Sequence, residues 1–362
     1  MTLVVESQGL HAYARQLDRA REDVAAIRGY LGRYAEAGTG GEVYNLARSG
    51  HEHAVHVVDG TLNRLSCLLE ASAPEMYQAA AYYRSTDLAA AEKVDRSLPA
   101  TAPRASTPVE SEFAATNCPP PPFADARHVA GHLVAPGEVD KPSNPLGFMD
   151  YVSPSSWANT AFETVLGFEP IGWLQERVFG DWESLAAMRP VLANVGDALH
   201  ALAYNVQTGA SALQSVWEGS AADSAYGYFT DLANAVSSLQ EPLDAIGHAY
   251  GGMADAVWAI GEALGGTIKA LLDTAIVAGI AIAAGTATAS TGVGAVVGYG
   301  VAAVEIANML RLWANATNLY QKLSAAVNVF RAGLGRHLSR LEVVALPALP
   351  GGSGYDHPLV KR

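Results

Sequence analysis

Residues 10–34 read LHAYARQLDRAREDVAAIRGYLGRY, and the spacing of their apolar side chains decides the fold class. Leu10, Leu17, Val24 and Leu31 recur every seven residues, with Tyr13, Ala20, Ile27 and Tyr34 three positions after each. Two such rows run side by side on one face of a helix, so the stretch predicts a long helix packed along another. The chain breaks at AGTGG (37–41), whose glycines tolerate a tight reversal. The apolar row resumes at Val55, Leu62, Leu69, Met76 and Tyr83, flanked by Val58, Leu65 and Ala79. Ser72 is the polar exception, and Pro74 is expected to kink this second helix by removing a backbone hydrogen bond. Residues 1–98 thus read as an antiparallel helical hairpin.

Composition agrees with an all-α chain. Apolar residues make up 50% and charged residues 16% of 362 positions, and strand-like runs of Ile, Val, Thr and Tyr are scarce. The length predicts two domains with a linker. A net charge of −13 and only five lysines argue against a nucleic-acid partner and against electrostatic docking on anionic lipid. The opening MTLVVESQGLHAYARQ has neither a basic segment nor an apolar core, so no cleavable Sec-type signal is expected.

Ten prolines fall between Pro99 and Pro145, including CPPPP (118–122), and residues 99–152 read as a semi-rigid linker. A helical domain is expected over 153–341 and a flexible tail over 342–362. Within that domain, SPSSWANTAFETVLG and IGWLQERVFG suggest short helices. The heptads then return: Leu192, Leu199, Val206 and Leu213 alternate with Val195, Leu202, Gly209 and Val216. A second set, Phe229, Val236, Leu243, Tyr250, Val257 and Leu264, pairs with Leu232, Leu239, Ile246, Met253 and Ile260, interrupted only by Pro242. That is a second hairpin. Residues 274–304 carry no charge for 31 positions, and Thr, Ser and Gly at 286–292 divide them into two short helical arms. The arms form either a buried small-residue hairpin or a membrane-contacting one. A last helix is expected over 305–341.

Catalytic chemistry is not evident. In HEHAVH, His53 and His56 share a helical face while His51 points elsewhere, which is poor zinc geometry and reads as a solvated face. His128 and His132 fall in the linker. GVGAVVG (292–298) does not follow a strand, so it is not a nucleotide loop. Cys67 and Cys118 are too few for a metal site and read either as a pair in an oxidising compartment or as the free thiols of a reduced protein. No enzyme activity, cofactor or metal is expected.

The joint of the second hairpin reads SVWEGSAADSAYGYF (215–229). Trp217 is expected to end the first arm and lie half buried across the hairpin end, with Gly219 taking a left-handed turn. Ser220 is expected to cap the next helix, with Asp223 completing a capping box. A Trp-X-Gly at the bend of residues 183–262 resembles the Trp-X-Gly (WXG) family of type VII (ESX) secretion substrates of actinobacteria. That family carries Tyr-x-x-x-Asp/Glu late in a second helix; here Tyr250 has Ala254 at that position, a departure. The missing element is YRSTD, Tyr83 to Asp87, in the first hairpin. That hairpin resembles ESX secretion-associated relatives lacking Trp-X-Gly at the bend. The resemblance implies an exported helical protein whose composite signal joins Trp217 and Gly219 to Tyr83 and Asp87. It implies the export ATPase and other WXG-like proteins as partners, a secreted or cell-surface location, and residues 1–98 and 183–262 paired as an internal four-helix bundle. A membrane-inserting or channel-forming protein acting through 274–304 is the alternative.

Overall fold

A computed structural model of the chain describes residues 3–99, 104–116, 120–137, 155–291, 293–344, 346–347 and 357–359. It is all-α. The first elements are α1 (Ser7–Tyr34), α2 (Glu42–Ser85), α3 (Leu88–Asp95), α4 (Pro108–Ala114), α5 (Ser156–Val165), α6 (Pro170–Val178) and α7 (Trp182–Ala186). They are followed by α8 (Met188–Leu213), α9 (Ser220–Ser237), α10 (Gln240–Ala287) and α11 (Val293–Val343). Two short strands, β1 (Val4–Val5) and β2 (Trp217–Glu218), pair antiparallel.

The heptad rows become the core. Leu10, Tyr13, Leu17, Ala20, Val24, Ile27 and Leu31 are buried between α1 and its neighbours, as are Leu62, Leu65, Leu69 and Met76 of α2. The Ser72 hydroxyl avoids an unmet donor by bonding the Leu68 carbonyl, 2.7 Å away. α2 runs through Pro74 as one helix. The AGTGG bend is held down rather than free. The Gly41 N–H donates to the Phe179 carbonyl at 2.7 Å, and Tyr44 meets Trp182 edge-on at 5.2 Å.

α8 lies at the centre, with α1, α9 and α10 packed around it. α1 comes unusually close at Gly209, where an added Cβ would fall 2.4 Å from the Tyr13 ring. The same approach lets Gln16 donate to the Asn205 carbonyl at 3.1 Å. α2 lies against α11, a helix that the heptad reading sets apart from the paired hairpins.

Two expectations about the second hairpin change. Its returning arm is two helices, broken between Ser237 and Gln240. Pro242 then sits in the first turn of α10, where a missing N–H goes unused. α10 continues unbroken into the charge-free run, turns at 288–291 and returns as α11. The arms at 274–304 are therefore the ends of two much longer helices, of 48 and 51 residues.

His51 also departs from the solvated face expected of it. It is buried, with Nδ1 2.9 Å from the Tyr250 hydroxyl and Nε2 2.8 Å from the Ala35 carbonyl. Both ring nitrogens are engaged in the core, and burial lowers the imidazole pKa. His53 and His56 are exposed. Among the described residues no group of three His, Cys, Asp or Glu side chains could hold a metal ion.

The described parts of the proline-rich region lie across the helices. Asn205 exchanges two 2.8 Å hydrogen bonds with the backbone of Arg127, and the Tyr30 hydroxyl donates to the Val134 carbonyl at 2.8 Å. Arg104 reaches Asp231 on α9. The segment thus straps the first hairpin to α8 and α9.

Candidate recognition site at the Trp217 corner

The connection between α8 and α9 is built differently from a plain helix turn. α8 stops at Leu213, and three tight backbone bonds close it, ending with the Val216 N–H on the Leu213 carbonyl at 3.0 Å. Trp217 and Glu218 then extend as β2, with Val5 opposite Trp217 and Val4 opposite Glu218. The Glu6 N–H adds a 2.7 Å bond to the Val216 carbonyl. The amino-terminal strand therefore clamps the tryptophan corner to the start of α1.

Trp217 is among the largest fully buried side chains, with 1% of its surface exposed. This corrects the expected half-buried ring. Tyr83, at the end of α2, meets it edge-on with ring centroids 5.9 Å apart. The two motif aromatics, from opposite hairpins, are in contact. The indole N–H and the Tyr83 hydroxyl approach one another without closing a well-formed hydrogen bond, and neither has another partner among the described residues. Burial pushes the Tyr83 hydroxyl pKa well up, the indole N–H opposing part of that rise.

Gly219 does not terminate α8. Its φ of +134° with ψ 176° turns the strand into α9, a backbone conformation that side-chain-bearing residues rarely adopt. A Cβ there would lie 2.7 Å from Asp95 Oδ2 and 3.0 Å from Leu3 Cδ1. The capping box expected at Ser220 and Asp223 is also absent. Ser220 is the first helical residue, and the cap is Asp95, whose carboxylate accepts the Ser220 N–H at 2.8 Å and the Ala221 N–H at 3.0 Å. Asp95 is only 5% exposed, and its charge faces the positive end of the α9 dipole.

Asp87 has another task. It is exposed, and its Oδ1 accepts the Ala89 and Ala90 N–H groups at 3.0 and 3.1 Å, capping α3. α3 then carries the chain back to the corner and delivers Asp95. The acidic group touching the Trp-X-Gly turn is Asp95, eight residues past the motif's own Asp87.

Part of the tail expected to be flexible closes the corner. His357 is 1% exposed, lies nearly parallel to the Trp217 ring at 5.6 Å and 17°, and meets Tyr83 edge-on at 5.5 Å. Its backbone N–H donates to Glu75 Oε2 at 3.4 Å, and its Nδ1 accepts the Leu359 N–H at 3.3 Å. Burial lowers the imidazole pKa to about 4, although Asp95 pulls the other way. A released tail would titrate near ~6.5. The docked form is therefore favoured above that pH and loses ground as pH falls toward 4. The loss is up to about tenfold per unit in that window, with Glu75, Asp95, Tyr82 and Tyr83 facing the ring. Hydrogen exchange of the carboxy-terminal peptide, corrected for intrinsic rates, should quicken across that window; a flat profile would contradict tail docking through His357.

Cys67 is exposed on α2, and its proposed pairing with Cys118 lies outside the described residues. Nothing in the sequence singled out Asp95, Glu75 or His357. No family model, curated protein or solved structure matches the chain.

Proposed function

We propose that the chain is an exported helical substrate or secretion-associated protein of an actinobacterial type VII (ESX) system, carrying both halves of a composite signal. The observation that carries this reading is the 5.9 Å contact between Tyr83 and Trp217. These residues belong to separate heptad hairpins, Tyr83 at the end of α2 and Trp217 between α8 and α9. In the family the two halves are usually supplied by paired chains. Here one chain supplies both, and the intervening region ties them together, so pairing is intramolecular and does not depend on protein concentration. The export ATPase is the partner this reading names. With Trp217 covered by His357, contact with the indole itself requires the tail to leave.

Export from the native host tests the proposal. Tyr83→Ala should abolish appearance of the protein in culture medium while circular dichroism stays helical. Tyr83→Phe keeps the ring and deletes only a hydroxyl that makes no well-formed hydrogen bond. It should be exported at close to the native level with unchanged stability. Native-level export of Tyr83→Ala would remove the proposal.

A further inference from the structure

We propose that the end of the α10–α11 hairpin, its arms at 280–290 and 296–303, inserts into the hydrocarbon of one leaflet of an uncharged bilayer. The run from Thr274 to Val304 contains no ionisable Asp, Glu, Lys, Arg or His. Its large apolar side chains face outward: Val296 is 75% and Val297 63% exposed, and Val277, Ile280, Tyr299, Val301 and Val304 are exposed as well. An apolar surface of this kind on a projecting element marks a contact site.

The geometry names the occupant. Successive helical residues are about 100° apart, so Val296, Val297, Tyr299, Val301 and Val304 cover more than half the circumference of α11. A docked protein helix would need a single stripe, whereas lipid touches every outward face. The arms hold each other closely, since a Cβ on Gly298 would fall 2.6 Å from the Gly285 Cα. Two hydroxyls ahead of the tip are met within α10: Thr286 donates to the Ile282 carbonyl at 2.8 Å and Thr288 to the Ala284 carbonyl at 2.7 Å. Side-chain groups satisfied in this way carry little desolvation cost in hydrocarbon.

The water boundary is also marked. α5 seats on α10 at Gly279, where a Cβ would meet the Trp157 carbonyl oxygen at 2.3 Å. The Trp157 side chain is 46% exposed at that level, a residue type favoured at membrane interfaces. Counting seven residues back along each arm from the Gly285–Gly298 crossing places Glu305 level with Ala278, beside the same seat. Beyond it each arm has roughly 12 residues, or about 18 Å of helix, against a hydrocarbon core of about 30 Å. The hairpin end therefore enters one leaflet and does not span. The net charge of −13 makes anionic headgroups unfavourable, which leaves a zwitterionic surface.

The test is independent of export. The purified full chain is mixed with phosphatidylcholine vesicles and floated through a density gradient. Val296→Asp/Val297→Asp is compared with Val329→Asp/Val343→Asp, which changes exposed positions of the same helix outside the hairpin end. The native chain and the second variant should float, and the first should lose partitioning by roughly a hundredfold or more at unchanged helicity. Three results would overturn the proposal: a native chain that stays at the bottom, equal flotation of both variants, or flotation that needs phosphatidylserine and disappears in about 1 M salt. A dimer that depends on Val296 and Val297, without flotation, would also overturn it and give the surface to a second copy of the chain.

Discussion

A Trp217→Ala variant is expected to lose about 3–5 kcal/mol of stability and all detectable export. The indole is buried between the end of α2 and the start of α9, in ring contact with Tyr83 and His357. Removing it leaves a space that the clamped β1–β2 pair is poorly able to collapse into, so the cavity cost adds to the lost transfer free energy. The effect is local to the corner. The heptad core of α1, α2 and α8 does not depend on Trp217, so helical circular dichroism at low temperature should hardly change while the urea midpoint falls. Trp217→Phe should retain part of the loss. An unchanged midpoint for Trp217→Ala would mean that the corner is not packed as described.

The second large effect concerns one hydrogen-sized position. Gly219→Ala should cost about 2–4 kcal/mol, from a φ of +134° that alanine resists and from crowding of the Asp95 carboxylate. The two causes separate in a second background. Asp95→Ala alone should cost about 1–2 kcal/mol by leaving the first N–H groups of α9 without their acceptor. With Asp95 shortened, the added methyl has more room, and Gly219→Ala should cost measurably less there. Strict additivity in urea titrations would leave only the backbone term.

The helices were legible because seven-residue spacing is a local signal, written in Leu10, Leu17, Val24 and Leu31 and answered by burial of each. The reversal was legible from the Thr, Ser and Gly at 286–292, although α10 runs on to Ala287 before the chain turns at 288–291. The helix break ahead of Pro242 was not, since the apolar row continues through Val236, Leu239 and Leu243 on both sides of it. Asp95 escaped notice because a cap supplied from another element has no sequence neighbour to announce it; a Ser-x-x-Asp pattern nearby pointed to Ser220 instead. Asp87 matched a motif and serves α3. His51 looked like one of a solvated trio, and only the fold places Tyr250 and the Ala35 carbonyl against its two nitrogens. The tail carries glycines and prolines that read as disorder, yet His357 finds an aromatic seat made by residues from both hairpins.

The rest depends on the meeting of Tyr83 and Trp217. A double-mutant cycle with Tyr83→Ala and Trp217→Phe, read by urea unfolding of the full chain, measures that meeting directly. Packed edge-on, the pair should show a coupling energy of about 0.5–1.5 kcal/mol. Effects that simply add, to within about 0.3 kcal/mol, would mean that the two halves of the signal do not touch.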